Sequence, residues 1–552
     1  MGNGASPVRC LRFDPDPEGD GTFERPQGAP IPVSAPDWDR ALDLLRKFNS
    51  LQDASGRLVR SIITEDGFEP WWYGQDRFLR FYLIPLTQLI PLLTETGGST
   101  TLRVENAPPD LLRVLQAIGG REGFPALEAD APRPADGSAG KAALLAASLT
   151  SLAAFRLARR DTAFYIVDHV SPGLRRDFRF DPLYREMERS GFRYAEYAHT
   201  LSPKQGLANF LRRRRPVFFL EAADFWARLA RLVPAAPALE LPDSEGASPE
   251  DRALRALIPL ALDGCVHSVG RQKILKRALR LQRARRAVVF DDNRHNHELV
   301  AACRSRGVPV LGFQHGVFNK FHAGLMAYGF SGARPHAFDR YGMWSDLFRD
   351  RLLRDSALYD PQRVFVAGPV RPPDTGAVSD PESAPPAHCG IVRVLVVSEP
   401  LARKREAARF LRTLLADTSF EIYLKLRPGE SAAALKEYGL PADRVRLLQT
   451  GTVYEAFARV DVAVGTYSSV LYEAALAGIP IVWMKTTRAY GRELAEEGLA
   501  EPADRPEDLP GAIRNAVAQT KDERRVRRER IWGREIRNGA VSLVETLRRM
   551  EG

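Results

Sequence analysis

The residues with the clearest chemical pattern lie in the segment GTYSSVLYEAALAGIP, residues 465–480. An apolar run ends at Thr466, and the hydroxyl residues Ser468 and Ser469 stand where the N-cap of a helix is expected. Hydroxyls beside the free N–H groups of a helix N-terminus can bind phosphate, and Glu473, one turn later, could bind ribose hydroxyls. A capped helix without a ligand is the alternative, and it is the simpler explanation of this segment taken alone.

A second cluster of charged residues occurs in LKLRPGE, residues 424–430. Lys425, Arg427 and Glu430 stand at or just after the end of an apolar run. Lysine and arginine at such a position can neutralise a phosphate leaving group. An ordinary charged turn at the Pro-Gly step explains the same residues.

A histidine follows a third apolar run, in FQHGVFN, residues 313–319. At the end of a strand that faces a cleft, His315 would be suited to act as a general base or to contact phosphate. Gly316 would allow close approach of a ligand to the backbone. Gln314 and Asn319 are expected to line the same cleft. The alternative is a structural histidine.

Two carboxylates begin the segment DDNRHNHE, residues 291–298. Asp291 and Asp292 could activate an acceptor hydroxyl as a general base, or act as a nucleophile. They are also good residues for capping the helix that follows. The histidines and glutamate after them are metal-binding types, but their spacing distributes them over different faces of a helix. We therefore expect no metal site.

These clusters follow apolar, β-branched runs that alternate with helical patterns. The runs of the C-terminal part are RVLVVSEP (393–400), EIYLKLRP (421–428), VRLLQT (445–450), VAVGT (462–466) and PIVWMK (480–485). The runs upstream are TAFYIVDHV (162–170), AVVFDD (287–292) and VPVLGFQHG (308–316). Alternation of this kind predicts parallel sheets, which place functional residues beyond the carboxyl ends of their strands. We predict an α/β protein with two Rossmann-like, doubly wound domains that face a cleft.

The boundaries follow from composition. The stretch 372–390 is dense in Pro, Gly, Ser and Asp, which is typical of a linker. The predicted parts are an N-terminal α/β extension at 1–118, an acceptor domain at 119–371 with a helical insertion at 215–286, the linker, a nucleotide domain at 391–519, and a basic helix at 520–552 that crosses back to the first domain.

Composition excludes several classes of protein. Hydrophobic residues make up 44% of the 552 residues and charged residues 27%, which excludes a disordered, collagen-like or coiled-coil chain. Four scattered cysteines disfavour a disulfide scaffold. The apolar stretch 81–93 is shorter than the roughly 20 residues that span a bilayer, and no signal peptide is visible. We expect a cytoplasmic protein.

The net charge of +10 favours anionic partners. Basic runs occur at 211–216 and 271–286, and the second has helical spacing. Its expected basic face consists of Lys273, Lys276, Arg277, Arg280 and Arg283. Such a face would suit the anionic inner surface of the plasma membrane or a nucleotide-rich cleft, and a solvated surface is the alternative. No nucleic-acid partner is expected, because no nucleic-acid-binding motif accompanies the charge.

Taken together, the QHG, LKLRPGE and TYSSVLYEAALAGIP segments resemble those of GT-B-fold glycosyltransferases of surface and capsular polysaccharide assembly. The Kdo- and polysialyl-transferases and the CDP-glycerol glycerophosphotransferases are the members that the chain resembles. The resemblance covers roughly residues 287–515. The chain departs from the pattern at Arg427, which stands where those enzymes carry the histidine of a His-Pro motif.

The resemblance implies a metal-independent transferase without a cofactor. It would use a CMP-, CDP- or UDP-linked sugar and a surface polysaccharide or lipid-linked glycan as acceptor. The residues implied for the donor are Lys425, Arg427, Glu430, Thr466, Ser468, Ser469 and Glu473. Those implied for catalysis are Asp291, Asp292 and His315, and those implied for the acceptor side are Gln314, Gly316 and Asn319.

Three alternatives remain open at this stage. A non-hydrolysing nucleotide-sugar epimerase would share the fold, but the long N-terminal region disfavours it. A catalytically inactive nucleotide-binding or scaffold protein remains an alternative because Arg427 replaces the histidine. A basic nucleic-acid-binding protein would show strongly salt-dependent binding to random DNA.

Overall fold

The computed structural model describes most of the chain, and all statements below concern that part. The described residues are 8–14, 22–24, 35–96, 101–105, 109–119, 126–130, 138–157, 160–167, 177–200, 206–208, 210–211, 216–241, 247–290, 294–320, 322–326, 328, 337–371, 390–399, 404–426, 430, 435, 438–449, 451–486 and 491–550. Three sheets with flanking helices make this an α/β fold, as the sequence predicts.

The N-terminal part combines a small sheet with a group of helices. Its strands are β1 (Val8–Asp14), β2 (Thr22–Glu24), β3 (Thr101–Glu105) and β4 (Ala126–Asp130), in the order β2-β1-β3-β4. Its helices are α1 (Ala35–Asn49), α2 (Trp71–Phe78), α3 (Ile84–Thr96) and α4 (Pro109–Gly119). Strand β4 pairs with β3 and lies beyond the predicted boundary at 118. The N-terminal part therefore extends to residue 130.

The central sheet has seven parallel strands. They are β5 (Thr162–Val167), β6 (Tyr194–His199), β7 (Val217–Phe219), β8 (Arg286–Phe290), β9 (Val310–Phe313), β10 (Arg340–Met343) and β11 (Val364–Val366), in the order β11-β10-β9-β8-β5-β6-β7. Its helices are α5 (Ser138–Leu157), α6 (Asp181–Arg189), α7 (Leu220–Leu229), α8 (Pro249–Gln282), α9 (Arg294–Arg304), α10 (Ala323–Met326) and α11 (Asp346–Asp355). The strand order reverses between β5 and β8.

The segment expected to be a helical insertion, 215–286, is largely helical, but it contributes the edge strand β7 to this sheet. Strand β7 pairs in parallel with β6, and α5 covers the outer edge of β7. The hydroxyl of Ser151 accepts the N–H of Val217 at 3.0 Å, and the hydroxyl of Ser148 accepts the N–H of Phe219 at 3.2 Å. These bonds satisfy backbone donors that an edge strand would leave unpaired.

Helix α8 is the central helix of the N-terminal half. Its first half shares a hydrophobic core with α1–α4, and its second half packs into the core of the central sheet. By length and composition alone it could span a membrane, but 61% of its apolar window is buried inside the protein. The structure thus accounts for its apolar residues as core residues.

The C-terminal sheet has six parallel strands. They are β12 (Val392–Val397), β13 (Phe420–Lys425), β14 (Val445–Leu448), β15 (Val462–Gly465), β16 (Ile481–Met484) and β17 (Glu501–Ala503), in the order β14-β13-β12-β15-β16-β17. Its helices are α12 (Lys404–Leu415), α13 (Val453–Phe457), α14 (Ser469–Leu476), α15 (Arg492–Glu496) and α16 (Leu509–Ala518). The strand order reverses between β12 and β15.

The C-terminal tail returns to the central sheet as two helices rather than one. Helix α17 (Lys521–Trp532) ends at Gly533, and α18 (Gly539–Arg549) packs against α6. The ring of Trp532 stacks on Trp344 with centroids 5.8 Å apart, and its Nε1 donates to the carbonyl of Tyr472. The two large sheets are thereby held in one continuous hydrophobic cluster.

Candidate functional site

The carboxyl ends of the C-terminal strands meet around a buried glutamate. Glu399 lies two residues after β12, directly across the point where the strand order reverses. Its carboxylate accepts the backbone N–H groups of Thr466, Tyr467 and Ser468 at 2.9–3.0 Å. It also accepts the hydroxyl of Thr466. Four donors of the loop between β15 and α14 thus converge on one carboxylate.

Glu399 is almost fully buried, at 2% exposure. Burial raises the pKa of its carboxyl, and the hydrogen bonds from the loop lower it in part. The neighbouring Ser398 hydroxyl accepts a hydrogen bond from Tyr438 at 3.3 Å. Burial raises the pKa of Tyr438 to about 12. Glu399 therefore belongs to a closed polar cluster beneath the loop.

This arrangement corrects the expected phosphate site. The backbone donors of Thr466 and Ser468 are occupied by a carboxylate of the same chain. Ser468 is the N-cap of α14, as predicted, and its hydroxyl accepts the N–H of Val470 at 3.2 Å. The half-buried Ser469 has no hydrogen-bond partner for its hydroxyl among the described residues. Of the predicted serines, Ser469 is the one that the structure leaves open to a ligand.

Of the other residues predicted for the donor side, Lys425 and Glu430 are partly buried. The Lys425 ammonium donates to the carbonyl of Gly451 at 3.0 Å, and burial lowers its pKa. Glu430 is half-buried and close enough to Tyr438 to contribute to its raised pKa. Arg427 lies outside the described residues.

Glu473, near the middle of α14, lies close to Tyr454 and to Arg371. Burial raises the pKa of its carboxyl, while Arg371 and the hydroxyl of Tyr454 lower it. Arg371 belongs to the central domain, just before the predicted linker. In the structure Glu473 thus faces the junction between domains, and a ribose contact remains a prediction.

On the central sheet, the side chain of Gln314 is buried and hydrogen-bonded within the protein, so it does not line an open cleft. Its side chain is 1% exposed. Its amide nitrogen donates to the carbonyl of Gly316 at 2.9 Å, and its amide oxygen accepts the N–H of Trp344 at 3.0 Å. Gln314 therefore shapes the turn that presents the next residue, His315.

His315 is half-buried at the carboxyl edge of β9. Its ring lies 4.7 Å from the ring of Phe290, at the end of the neighbouring strand β8. A Cβ atom on Gly316 would meet nothing within 4 Å, so the backbone is open there. Asn319 is buried, and its N–H donates to Nδ1 of His322 at 3.2 Å. Asp291 and Asp292 lie outside the described residues.

The structure also reveals an arginine that the sequence did not single out. The guanidinium of Arg179 forms three hydrogen bonds of 2.6–3.2 Å to the fully buried Asp177, and it donates to the carbonyl of Val167 at 3.4 Å. Its guanidinium lies over the ring of Phe290 at 5.6 Å. This cation therefore occupies the crevice between β5 and β8, where the strand order reverses. The run FRFDP contains no motif that would have indicated it.

The two sheet edges approach each other through Tyr467. Its hydroxyl donates to the carbonyl of Val317 at 2.9 Å, and its ring stacks on His322 with centroids 6.5 Å apart. Val317 lies two residues after His315, and Tyr467 two residues before Ser469. The loop of the predicted general base and the loop of the predicted donor site are thus in direct contact.

The remaining polar candidates have structural roles. Glu298 is buried and accepts Arg271 at 2.7–3.0 Å and the hydroxyl of Ser268 at 2.6 Å. Among the described residues, no three His, Cys, Asp or Glu side chains are grouped closely enough to hold a metal.

The expected basic face of α8 is interrupted by acidic partners. Lys276 pairs with Glu65 and Asp66, and Lys273 lies 3.5 Å from Glu65. The three remaining arginines of that face are exposed and have no acidic partner among the residues that the structure describes: Arg277, Arg280 and Arg283. The continuous face expected from the sequence is therefore reduced to these three.

A cavity of about 300 Å³ lies apart from these edges, between α2, α7 and α8. Its walls include Trp71, Tyr82 and His267. Arg271, in the same wall, is held by Asp224 and Glu298. The cavity contains none of the predicted site residues.

Comparisons with known proteins give distant structural likenesses. No family model and no curated protein matches the sequence. The glycotransferase of kitacinnamycin superposes with a TM-score of 0.44 at 13% identity, over 72% of this chain and 100% of that one. MurG of Acinetobacter baumannii gives 0.43 at 11%, over 70% and 99%. A UDP-GlcNAc 2-epimerase of Methanocaldococcus jannaschii, solved with UDP-GlcNAc and UDP, gives 0.42 at 12%, over 71% and 100%. Likeness at this level does not decide the activity.

Proposed function

We propose that the protein transfers a sugar from a nucleotide-activated donor to a hydroxyl group of a glycan. The observation that carries the proposal is the hydrogen bond between Tyr467 and Val317. Open α/β sheets bind ligands at the carboxyl ends of their strands, near the point where strand order reverses. Two such edges joined by one hydrogen bond would hold two substrates side by side.

The donor would bind at the C-terminal sheet. Ser469 offers an open hydroxyl at the start of α14, and Lys425 supplies a cation at the end of β13. We propose these two, with Glu430 and with Arg427 of the same sequence segment, as the contacts of a CMP-, CDP- or UDP-linked sugar. Positive charge near the phosphate would stabilise the leaving group as the bond to the sugar breaks.

The acceptor would bind at the central sheet. We propose His315 as the general base that takes the proton from the acceptor hydroxyl while its oxygen attacks the anomeric carbon. Asp291 and Asp292 are the alternative bases. The phosphate oxygen leaves with the bonding electrons, so each transfer forms one C–O bond and breaks one. A surface polysaccharide or a lipid-linked glycan is the proposed acceptor.

The first test is nucleotide binding. Thermal unfolding would be measured with CMP, CDP, UDP, GDP and ADP, because a ligand at 100 times its Kd adds about 2.7 kcal/mol of stability. Stabilisation by one base, weakened in Ser469→Ala, is expected. No stabilisation by any nucleotide would overturn the proposal.

The second test separates transfer from binding alone. His315→Gln is expected to lower turnover by about 10²–10⁴-fold while nucleotide affinity stays unchanged. Interconversion of sugar epimers without an acceptor would identify an epimerase instead. Tight nucleotide binding without turnover on any acceptor would identify a binding or scaffold protein.

We also propose a cytoplasmic location with contact to an anionic membrane. Its support is the exposed set Arg277, Arg280 and Arg283 in the last turns of α8 and at its C-cap. Basic side chains near an anionic surface contribute about 1 kcal/mol each. Flotation with phosphatidylserine vesicles should fall when all three become glutamine, and absence of flotation of the wild type at low salt would contradict the proposal.

A further inference from the structure

The backbone N–H groups of the loop between β15 and α14 bind the carboxylate of Glu399. Three consecutive N–H groups, those of Thr466, Tyr467 and Ser468, bind a carboxylate that is 2% exposed. Glu399 and Thr466 are 67 residues apart in the chain. Such N–H groups would otherwise need water or a ligand. Glu399 therefore sets the conformation of this loop.

The same loop holds the contact between the two domains. The N–H of Tyr467 binds Glu399 at 3.0 Å, and the hydroxyl of Tyr467 binds the carbonyl of Val317 at 2.9 Å. One tyrosine thus connects a fixed carboxylate of the C-terminal domain to the turn that carries His315. Gln314 holds that turn from its other side, through its bond to Gly316.

We infer that Glu399 is a positioning residue for the cleft and acts through Tyr467. It keeps the tyrosine backbone in place, so that the hydroxyl reaches Val317 and holds His315 opposite the donor edge. Its relevance to catalysis rests on the proposed function, whereas the coupling between the two loops does not. A purely local role for Glu399 would stabilise residues 465–470 and leave the turn at 313–320 unaffected.

Hydrogen–deuterium exchange of the whole protein, read by mass spectrometry, tests the coupling without any nucleotide. Glu399→Ala is expected to speed exchange in 465–470 by about a hundredfold, because several bonds to a charged group are lost. It should also speed exchange in 313–320 by about fivefold, the equivalent of one neutral hydrogen bond. Tyr467→Phe should affect 313–320 to the same extent and leave 465–470 unchanged.

Chemical rescue provides the matched control. Formate fits the space that Glu399→Ala leaves among the loop donors, and it should restore slow exchange in both segments while leaving the wild type unchanged. Glu399→Gln keeps the size of the side chain but places an amide NH₂ against N–H donors, so it should behave like Glu399→Ala without rescue. It is also the second variant if Glu399→Ala does not fold.

The outcomes separate the two proposals. Unchanged exchange in 313–320 of both Glu399 variants would overturn the coupling, whatever the protein binds. Absence of nucleotide binding by the wild type would overturn the proposed function and leave the exchange result valid. If both hold, Tyr467→Phe should lower kcat with nucleotide Kd within about twofold, whereas Glu399→Gln should lower kcat and also weaken nucleotide binding, because it loosens the loop that carries Ser469.

Discussion

Gly465 lies directly against the carboxylate of Glu399. A Cβ atom on Gly465 would stand 2.6 Å from Oε1 of Glu399, closer than side-chain atoms normally approach. Leu471 lies 3.3 Å from the same position on another side. The last residue of β15 therefore has no room for a side chain, and the reason is the buried glutamate.

Gly465→Ala should lower the free energy of unfolding by about 1–3 kcal/mol, because the added methyl group overpacks a closed site. Gly316→Ala is the matched control at the other sheet edge, where a Cβ atom would meet nothing within 4 Å. Urea unfolding of both variants checks the prediction. Equal stability of the two variants would contradict the packing around Glu399.

The ion pair between Arg351 and Glu497 joins the domains at a second place. Nε of Arg351 donates to Oε1 of Glu497 at 2.9 Å, and the arginine side chain is 4% exposed. Glu497→Gln should cost about 3–5 kcal/mol, since it leaves a buried cation without its counter-ion. Glu496→Gln is the control, because it changes an exposed carboxylate one residue away. It should cost less than about 0.5 kcal/mol. Chemical denaturation of both variants measures the difference, and similar losses would show that the pair is not responsible.

Gln314 should matter for the turn at His315 more than for any ligand contact. Gln314→Met keeps the volume but removes the bonds to Gly316 and to the N–H of Trp344. Leaving that buried N–H without an acceptor should cost about 1–3 kcal/mol. Unfolding in denaturant measures the loss. A fully stable Gln314→Met variant with weakened ligand binding would instead assign Gln314 to the open cleft.

The turn after α1, which contains Asp53, is expected to contribute less to the stability of the protein at low pH. The hydroxyl of Ser55 and the groups of Arg57 lower the pKa of Asp53 from its usual 3.8 to about 2. Because the folded pKa is the lower one, this carboxylate adds stability above the unfolded pKa and loses it as the pH falls towards the folded one.

Asp53→Asn should therefore reduce the slope of unfolding free energy against pH between the unfolded and the folded pKa. Urea titrations at several pH values in that interval measure both slopes, and Ser55→Ala should give an intermediate slope. Equal slopes for the wild type and Asp53→Asn would contradict the assignment.

Local patterns were sufficient to predict the elements around the site. Apolar runs identified the strand that ends at Lys425 and those that end shortly before His315 and Thr466, and the serine pair identified the start of α14. These signals lie within a few residues of one another. Several strands were not predicted: β1, β2, β4, β6, β7, β10, β11 and β17. Most of them are runs of three to five residues, which carry too little pattern to be recognised.

The sequence by itself determined that the chain forms parallel α/β sheets with polar residues at their carboxyl edges, because strand periodicity and helix capping are local properties. The tertiary structure alone decided which of those residues remain available. Glu399 is an ordinary strand-end residue in VVSEP, and only the alignment of β12 beside β15 brings it to the loop donors. Lys273 and Lys276 form part of a basic face until Glu65 and Asp66 pack against them. Partners so distant in the chain meet only through folding. Because burying an unpaired charge or donor is costly, these partners determine which polar groups remain available to a ligand.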